Sequence, residues 1–195
     1  MWILWLEWLV LALLVFWSIG AIKRLKRLRN QCKTAFAAVD VQFVQLIELL
    51  RSCARRQALK EQVAAVYVQH AQHALLPSAD LLEVALQQAR AQPLQAERIA
   101  SLESAWQGVQ LAWQTYAQIC TEQSEVHAQH IQEWSQRWDQ LQTLQIHSAA
   151  QFNTAVEDYN QAIAQLPACA IARISGHQVA RTFQKDAVLL RQQDA

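Results

Sequence analysis

The sequence predicts an all-α chain: an N-terminal transmembrane helix continuous with a long stem, followed by an elongated, coiled-coil-like antiparallel helical bundle. Three observations carry this. Only three Gly and three Pro punctuate 195 residues, which leaves few places to turn in a chain rich in the helix formers Ala, Gln and Leu. Apolar residues recur three and four apart over long stretches, the period of a buried helical stripe. Residues 1–22 contain one ionisable side chain, Glu7, and as a helix they reach roughly 33 Å, enough for a hydrocarbon core of about 30 Å.

The first element, residues 1–22, reads as an uncleaved anchor. A secretory signal sets its cations before the apolar run, whereas here Lys23, Arg24, Lys26, Arg27, Arg29 and Lys33 follow it with no acid among them. The positive-inside rule then puts the N-terminus outside and residues 23–195 in the cytoplasm. Trp2, Trp5 and Trp8 near the outer end, and Trp17 near the inner end, fit the aromatic belts of the two membrane interfaces. Glu7 either bonds neighbouring anchors together or snorkels to the outer headgroups, since it stands about 10 Å from the helix start.

Nothing breaks a helix between Gly20 and Pro77, so the span is expected to continue into a stem. Its stripe is Leu25, Leu28, Cys32, Ala35, Val39, Phe43, Leu46, Leu50 and Cys53. Pro77 and Ser78 are expected to stop the stem, with Ser78 capping a short helix from Ala79 to about Ala91 and with Asp80 and Glu83 in its first turn. Pro93 marks a kink or a restart. Ile99, Leu102, Trp106, Val109, Trp113, Tyr116 and Cys120 then form a strict seam. It falters at Ser124 and His127, and resumes with Ile131, Trp134, Trp138 and Leu141, then Phe152, Val156, Tyr159, Ile163 and Leu166. The break is either a stutter in one very long helix or a turn near residues 121–128. With the turn, the stem runs outward, residues 79–120 return and 129–166 run outward again, so that the tail emerges far from the membrane. Trp106, Trp113, Trp134 and Trp138 read as core layers.

Residues 23–167 thus make one cytoplasmic bundle, and 168–195 a basic amphipathic or flexible C-terminal tail. Arg173, His177, Arg181 and Lys185 recur there every four residues, a face that could lie on a membrane or dock on an acidic partner. A net charge of +1 argues against nucleic-acid binding, but the distribution is uneven. Residues 23–60 hold ten of the seventeen Lys and Arg against two acids, Asp40 and Glu48. Such polarity could steer chain against chain, or draw the stem to anionic headgroups.

Chemistry-bearing motifs are few. Cys32, Cys53, Cys120 and Cys169 have no metal or redox spacing and read as small buried hydrophobes. Two "HAQH" segments bring His70 with His73 and His127 with His130 onto adjacent helical positions, and four such imidazoles in register could hold a metal. Their Gln- and Ala-rich surroundings, without a carboxylate to orient them, favour a solvated face instead. No phosphate loop, His-Glu-x-x-His helix or serine elbow is present, so no catalytic residue and no cofactor is expected.

"RLRNQCKTAFAAVDVQ", residues 27–42, and "FNTAVEDYNQAIAQLP", residues 152–167, resemble the two most distinctive blocks of the LemA family. In the second block Asn153, Ala155, Val156, Tyr159, Asn160, Ala162, Ile163 and Pro167 match, and Phe152 stands where the family usually has Tyr. The chain departs from the family at "FVQLIELL" after the first block and at the proline-free "EQSEVHA" of residues 122–128. The resemblance implies a bacterial single-pass membrane protein with a helical-bundle soluble part and no assigned catalytic residues. The expected function is a non-enzymatic scaffold at the bacterial inner membrane, whose stems associate through their seams into a homo-oligomer, with the lipid bilayer as a further partner. The alternative is a membrane-tethered adaptor docking an unidentified protein through the tail or the acidic later helices.

Overall fold

A computed structural model describes residues 2–60, 66–123, 125–165 and 178–184; the side chains of residues 2–4, 7, 10, 14, 56–60, 66–73, 123 and 125–130 lie outside the description. Four helices account for nearly all of it: α1 Trp2–Lys60, α2 Val66–Ala91, α3 Ala96–Gln123 and α4 Glu125–Ala164. No strand occurs among the described residues.

Cross-helix contacts fix the topology. Arg51 of α1 reaches Asp80 and Glu83 of α2 at 2.6 Å each, and Asp40 meets Arg90 at 2.6 Å, so α2 runs back along α1. At Pro93 the chain reverses: Gln92 N–H donates to Ala89 O at 3.2 Å and Gln95 N–H to Gln92 O at 3.1 Å. A proline there has no N–H with which to continue α2. Rising beside α1, α3 sets Trp106 edge-on to Phe43 at 5.4 Å and Tyr116 against Cys53. Descending again, α4 packs Phe152 on Phe36 at 5.7 Å and ends with Gln165 beside Arg24, 3.4 Å away. In one unbroken helix Trp113 and Trp138 would stand about 37 Å apart, yet they stack at 4.9 Å. α3 and α4 are therefore two helices lying side by side rather than one, and the stutter is ruled out.

The result is an up-down-up-down four-helix bundle, which corrects the expected course in three places. The stem helix ends at Lys60 rather than at Pro77, and Pro77 lies inside α2. Proline is tolerated there because it sits on an exposed face where water can serve the carbonyl it leaves unbonded, while buried Leu75 and Ala79 hold the helix to the core on either side. Ser78 caps nothing: its hydroxyl donates to Leu75 O at 2.8 Å. Asp80 and Glu83 serve Arg51 rather than a helix terminus. Lastly, four limbs rather than three bring the end of α4 back to the base of the bundle, so the tail departs near Arg24 and not from the far end.

The predicted stripes fill the interior. Every member of the Ile99-to-Cys120 seam is buried, as are Ile131, Trp134 and Trp138 and the set Phe152, Val156, Tyr159 and Ile163. Ala35 and Leu141 are half-buried, and Leu166 lies outside the described residues. Between Leu141 and Phe152 the seam continues through two polar residues, Gln145 and Ser148, both buried. Because the seams close on one another within one chain, they are not free to join neighbouring chains.

Candidate functional site: an apolar sleeve, a basic collar and a clamped strap

Bundle packing on α1 begins at Leu25. Before it, residues 5–22 continue the same helix with almost every described side chain in the open. Trp5 is 78% exposed, Phe16 76% and Trp17 52%. Together with Trp8, these rings leave roughly 500 Å² of aromatic surface uncovered, as much as the largest apolar patch of a typical monomer. Leu6, Leu9, Leu11, Leu13, Val15 and Ile19 add to it. Among the described residues no helix is long and apolar enough to cross a membrane. The expected span over residues 1–22 is thus not established. The side chains of Trp2 and Glu7 lie outside the description.

Directly after the sleeve, Lys23, Arg24, Lys26, Arg27, Arg29 and Lys33 are all exposed. Helical geometry turns Leu25 and Leu28 into the bundle and spreads the six cations over the remaining arc. None of them forms an ion pair among the described residues, although Arg24 donates to Gln165. The farther cations differ. Arg51 is taken up by Asp80 and Glu83, so part of the charge asymmetry is used within the chain; Arg55 is exposed, and the side chains of Arg56 and Lys60 lie outside the description.

The tail departs from expectation. Its described part, residues 178–184, is not helical but an extended strap laid against α3 and α4. Arg181 turns inward onto Glu103 at 2.8 Å, so it does not present a docking face; Gln184 N–H also donates to Glu103. Two asparagines of α4 hold the strap's backbone. Asn160 donates to Ala180 O at 2.8 Å and accepts from Ala180 N–H at 2.9 Å. Asn153 does the same for Phe183, at 2.9 and 2.7 Å. The Phe183 ring is buried edge-on against Phe152, 5.4 Å away. Arg173, His177 and Lys185 lie outside the described residues.

Sequence reading did not assign roles to Asn153, Asn160 or Glu103. A signal was present for the asparagines: two poor helix formers seven residues apart in a helix interior, each following a buried aromatic ring, Phe152 and Tyr159. Glu103 offered none.

Reactive chemistry is muted. Cys32, Cys53 and Cys120 are free and buried, and Cys169 lies outside the described residues. Burial pushes the Cys32 thiol up to about 11 and the Cys53 thiol to about 12, so both stay protonated and poorly nucleophilic. Burial also raises Tyr116, whose hydroxyl accepts from Cys53 at 3.9 Å. No group of three or more His, Cys, Asp or Glu that could hold a metal occurs among the described residues. The side chains of His70, His73, His127 and His130 are not among them. No family model, no curated protein and no solved structure matches the chain.

Proposed function

We propose that this chain is a membrane-anchored, non-enzymatic helical scaffold that self-associates at the bacterial inner membrane, and that it is a divergent relative of the LemA family. One observation carries the reading. A single helix passes without interruption from a bare apolar sleeve, through an exposed basic collar, into a packed bundle. Exposed aromatic and aliphatic surface on that scale needs a cover. Lipid supplies one for the sleeve, and anionic headgroups supply countercharge for the collar, each cation near the surface adding about 1 kcal/mol. The cations then mark the cytoplasmic side, and the bundle stands in the cytoplasm. The likeness of residues 27–42 and 152–167 to LemA blocks agrees with this.

Anchoring confines the copies to two dimensions, and the bundle offers them exposed apolar side chains such as Leu81, Val84 and Leu111. Native mass spectrometry of the full chain in mild detergent, with chemical cross-linking in membranes, tests the reading. Discrete oligomers are expected. A strictly monomeric particle ends the scaffold, and a chain washed off membranes by alkaline carbonate ends the anchor.

A further inference from the structure

We propose that the groove between α3 and α4 is a recognition site for an extended peptide of the class small–Arg–x–aromatic, occupied by the chain's own residues 180–183 and, between neighbouring copies, by the tail of a second copy. Three features make the groove a receptor rather than a resting place. First, it reads backbone. Each asparagine offers one donor and one acceptor, the complement of a peptide N–H and C=O, and Asn153 and Asn160 each take both groups of one residue. Second, the spacing matches. Seven residues along α4 cover about 10.5 Å, and three residues of a polyproline II chain about 9 Å. Ala180 and Phe183, three apart, both face α4, which is the three-fold period of that conformation and not the two-fold period of a strand. Third, side chains select. Ala180 and Phe183 are buried, and Arg181 meets Glu103, itself only 9% exposed.

The second copy follows from complementarity and from chain length. The groove is built for this tail, and every copy carries both parts. Ala180 lies beside Asn160, and the strap runs antiparallel to α4, so residue 178 comes level with the end of α4 near Gln165. A turn of a few residues would join them, yet twelve residues, 166–177, intervene. Fully extended, that length reaches about 40 Å, about twice the width of a bundle whose helices pack roughly 10 Å apart. This exchange rests on the self-associating reading above and gives it a specific contact.

Charge-reversed full chains test it. Glu103→Arg spoils a groove for the native tail, and Arg181→Glu spoils a tail for the native groove, so each chain alone should lose its strap. Hydrogen exchange at the Ala180 and Phe183 amides should then quicken about tenfold or more. Mixed in mild detergent, the two variants match only in trans: their association should exceed that of either alone, and amide protection should return. Protection that returns in the double Glu103→Arg/Arg181→Glu chain but never in the mixture would make the clamp purely intramolecular and overturn the proposal, as would unchanged exchange in both single variants. Should Glu103→Arg fail to fold, a full chain carrying Phe183→Ser, with its groove intact, is offered a labelled peptide of native residues 176–186. Saturable binding, lost when the peptide carries Arg181→Glu, supports the site, and no binding overturns it. Exchange between variants of a chain that is otherwise monomeric would sink the scaffold and leave the groove standing; oligomers without exchange would do the reverse.

Discussion

Trp138 lies between two other indoles, Trp106 at 5.5 Å and Trp113 at 4.9 Å, with interplanar angles of 23° and 17°. The stack ties the seams of α3 and α4 together about 15 Å from the end of α3, so its removal opens a cavity between the helices. Trp138→Ala should cost about 3–5 kcal/mol and Trp138→Phe clearly less, read as urea midpoints by circular dichroism on the detergent-solubilised chain. Equal midpoints for the two variants would remove the stack from the core's energetics. Burial of the thiols makes a second prediction at this scale. Cys32 and Cys53 keep their protons in the folded chain up to about 11 and 12, while in the unfolded chain a thiol loses its proton near 8.5. Between these limits the unfolded state binds fewer protons, so stability is fully present below about pH 8.5 and falls as pH rises through the folded values. A Cys32→Ala/Cys53→Ala chain should lose less thermal stability than wild type between pH 8 and 10.5. Parallel losses in the two chains would refute the assignment.

The collar works as an element, since six cations on one arc act together where each alone adds little. If it sets orientation, replacing Lys23, Arg24, Lys26, Arg27, Arg29 and Lys33 by Gln should leave some chains inserted the wrong way round. A C-terminal tag should then become partly digestible by protease added to intact spheroplasts, while the native chain's tag stays protected. A digestible native tag would reverse the topology. At this same scale, what the sequence could and could not reveal separates cleanly. The α3 seam was legible because every third or fourth residue is apolar and every one is buried. The boundary between α1 and α2 was not: nothing in residues 54–66 breaks a helix, and the break is imposed by packing, because Leu75, Leu82 and Leu86 of α2 join the common core only when α2 folds back into the bundle. Pro77 misled for the opposite reason, being a strong local signal overridden by buried neighbours. Gln145 hid in the α4 seam as a polar residue, yet it is buried. The pairing of Phe36 with Phe152 and of Cys32 with Ala155 puts it level with Gln42, and a buried side-chain oxygen of each has no hydrogen-bond partner among the described residues. Buried amides of that kind fix register at a cost in stability. Of the functional surfaces, sleeve and collar could be read from composition alone; the strap could not, because its partners lie 20 to 81 residues away in sequence.

For the molecule as a whole, everything turns on the parity of the bundle. Three limbs would carry the last helix to the far end of the bundle; four bring it back to the collar. Gln165 beside Arg24 is the contact that distinguishes them, because the opposite end of the packed stretch of α1, near Ala54, is about 44 Å away. Cysteines placed at Arg24 and Gln165 in a chain whose native cysteines are changed to Ala or Ser should be joined within one molecule by a cross-linker of about 10 Å. A partner cysteine at Arg55 in place of Arg24 should not be joined to Gln165, since even a long linker falls short of the height of the bundle. Both positions are exposed, so neither substitution disturbs the core. Joining at Arg55 but not at Arg24 would restore the three-limb course. Joining at Arg24 keeps sleeve, collar and α4 end at one end of the molecule, so that copies anchored as proposed would meet at the same height. The proposed exchange needs that common level, because a tail leaving one base must reach the groove of the next.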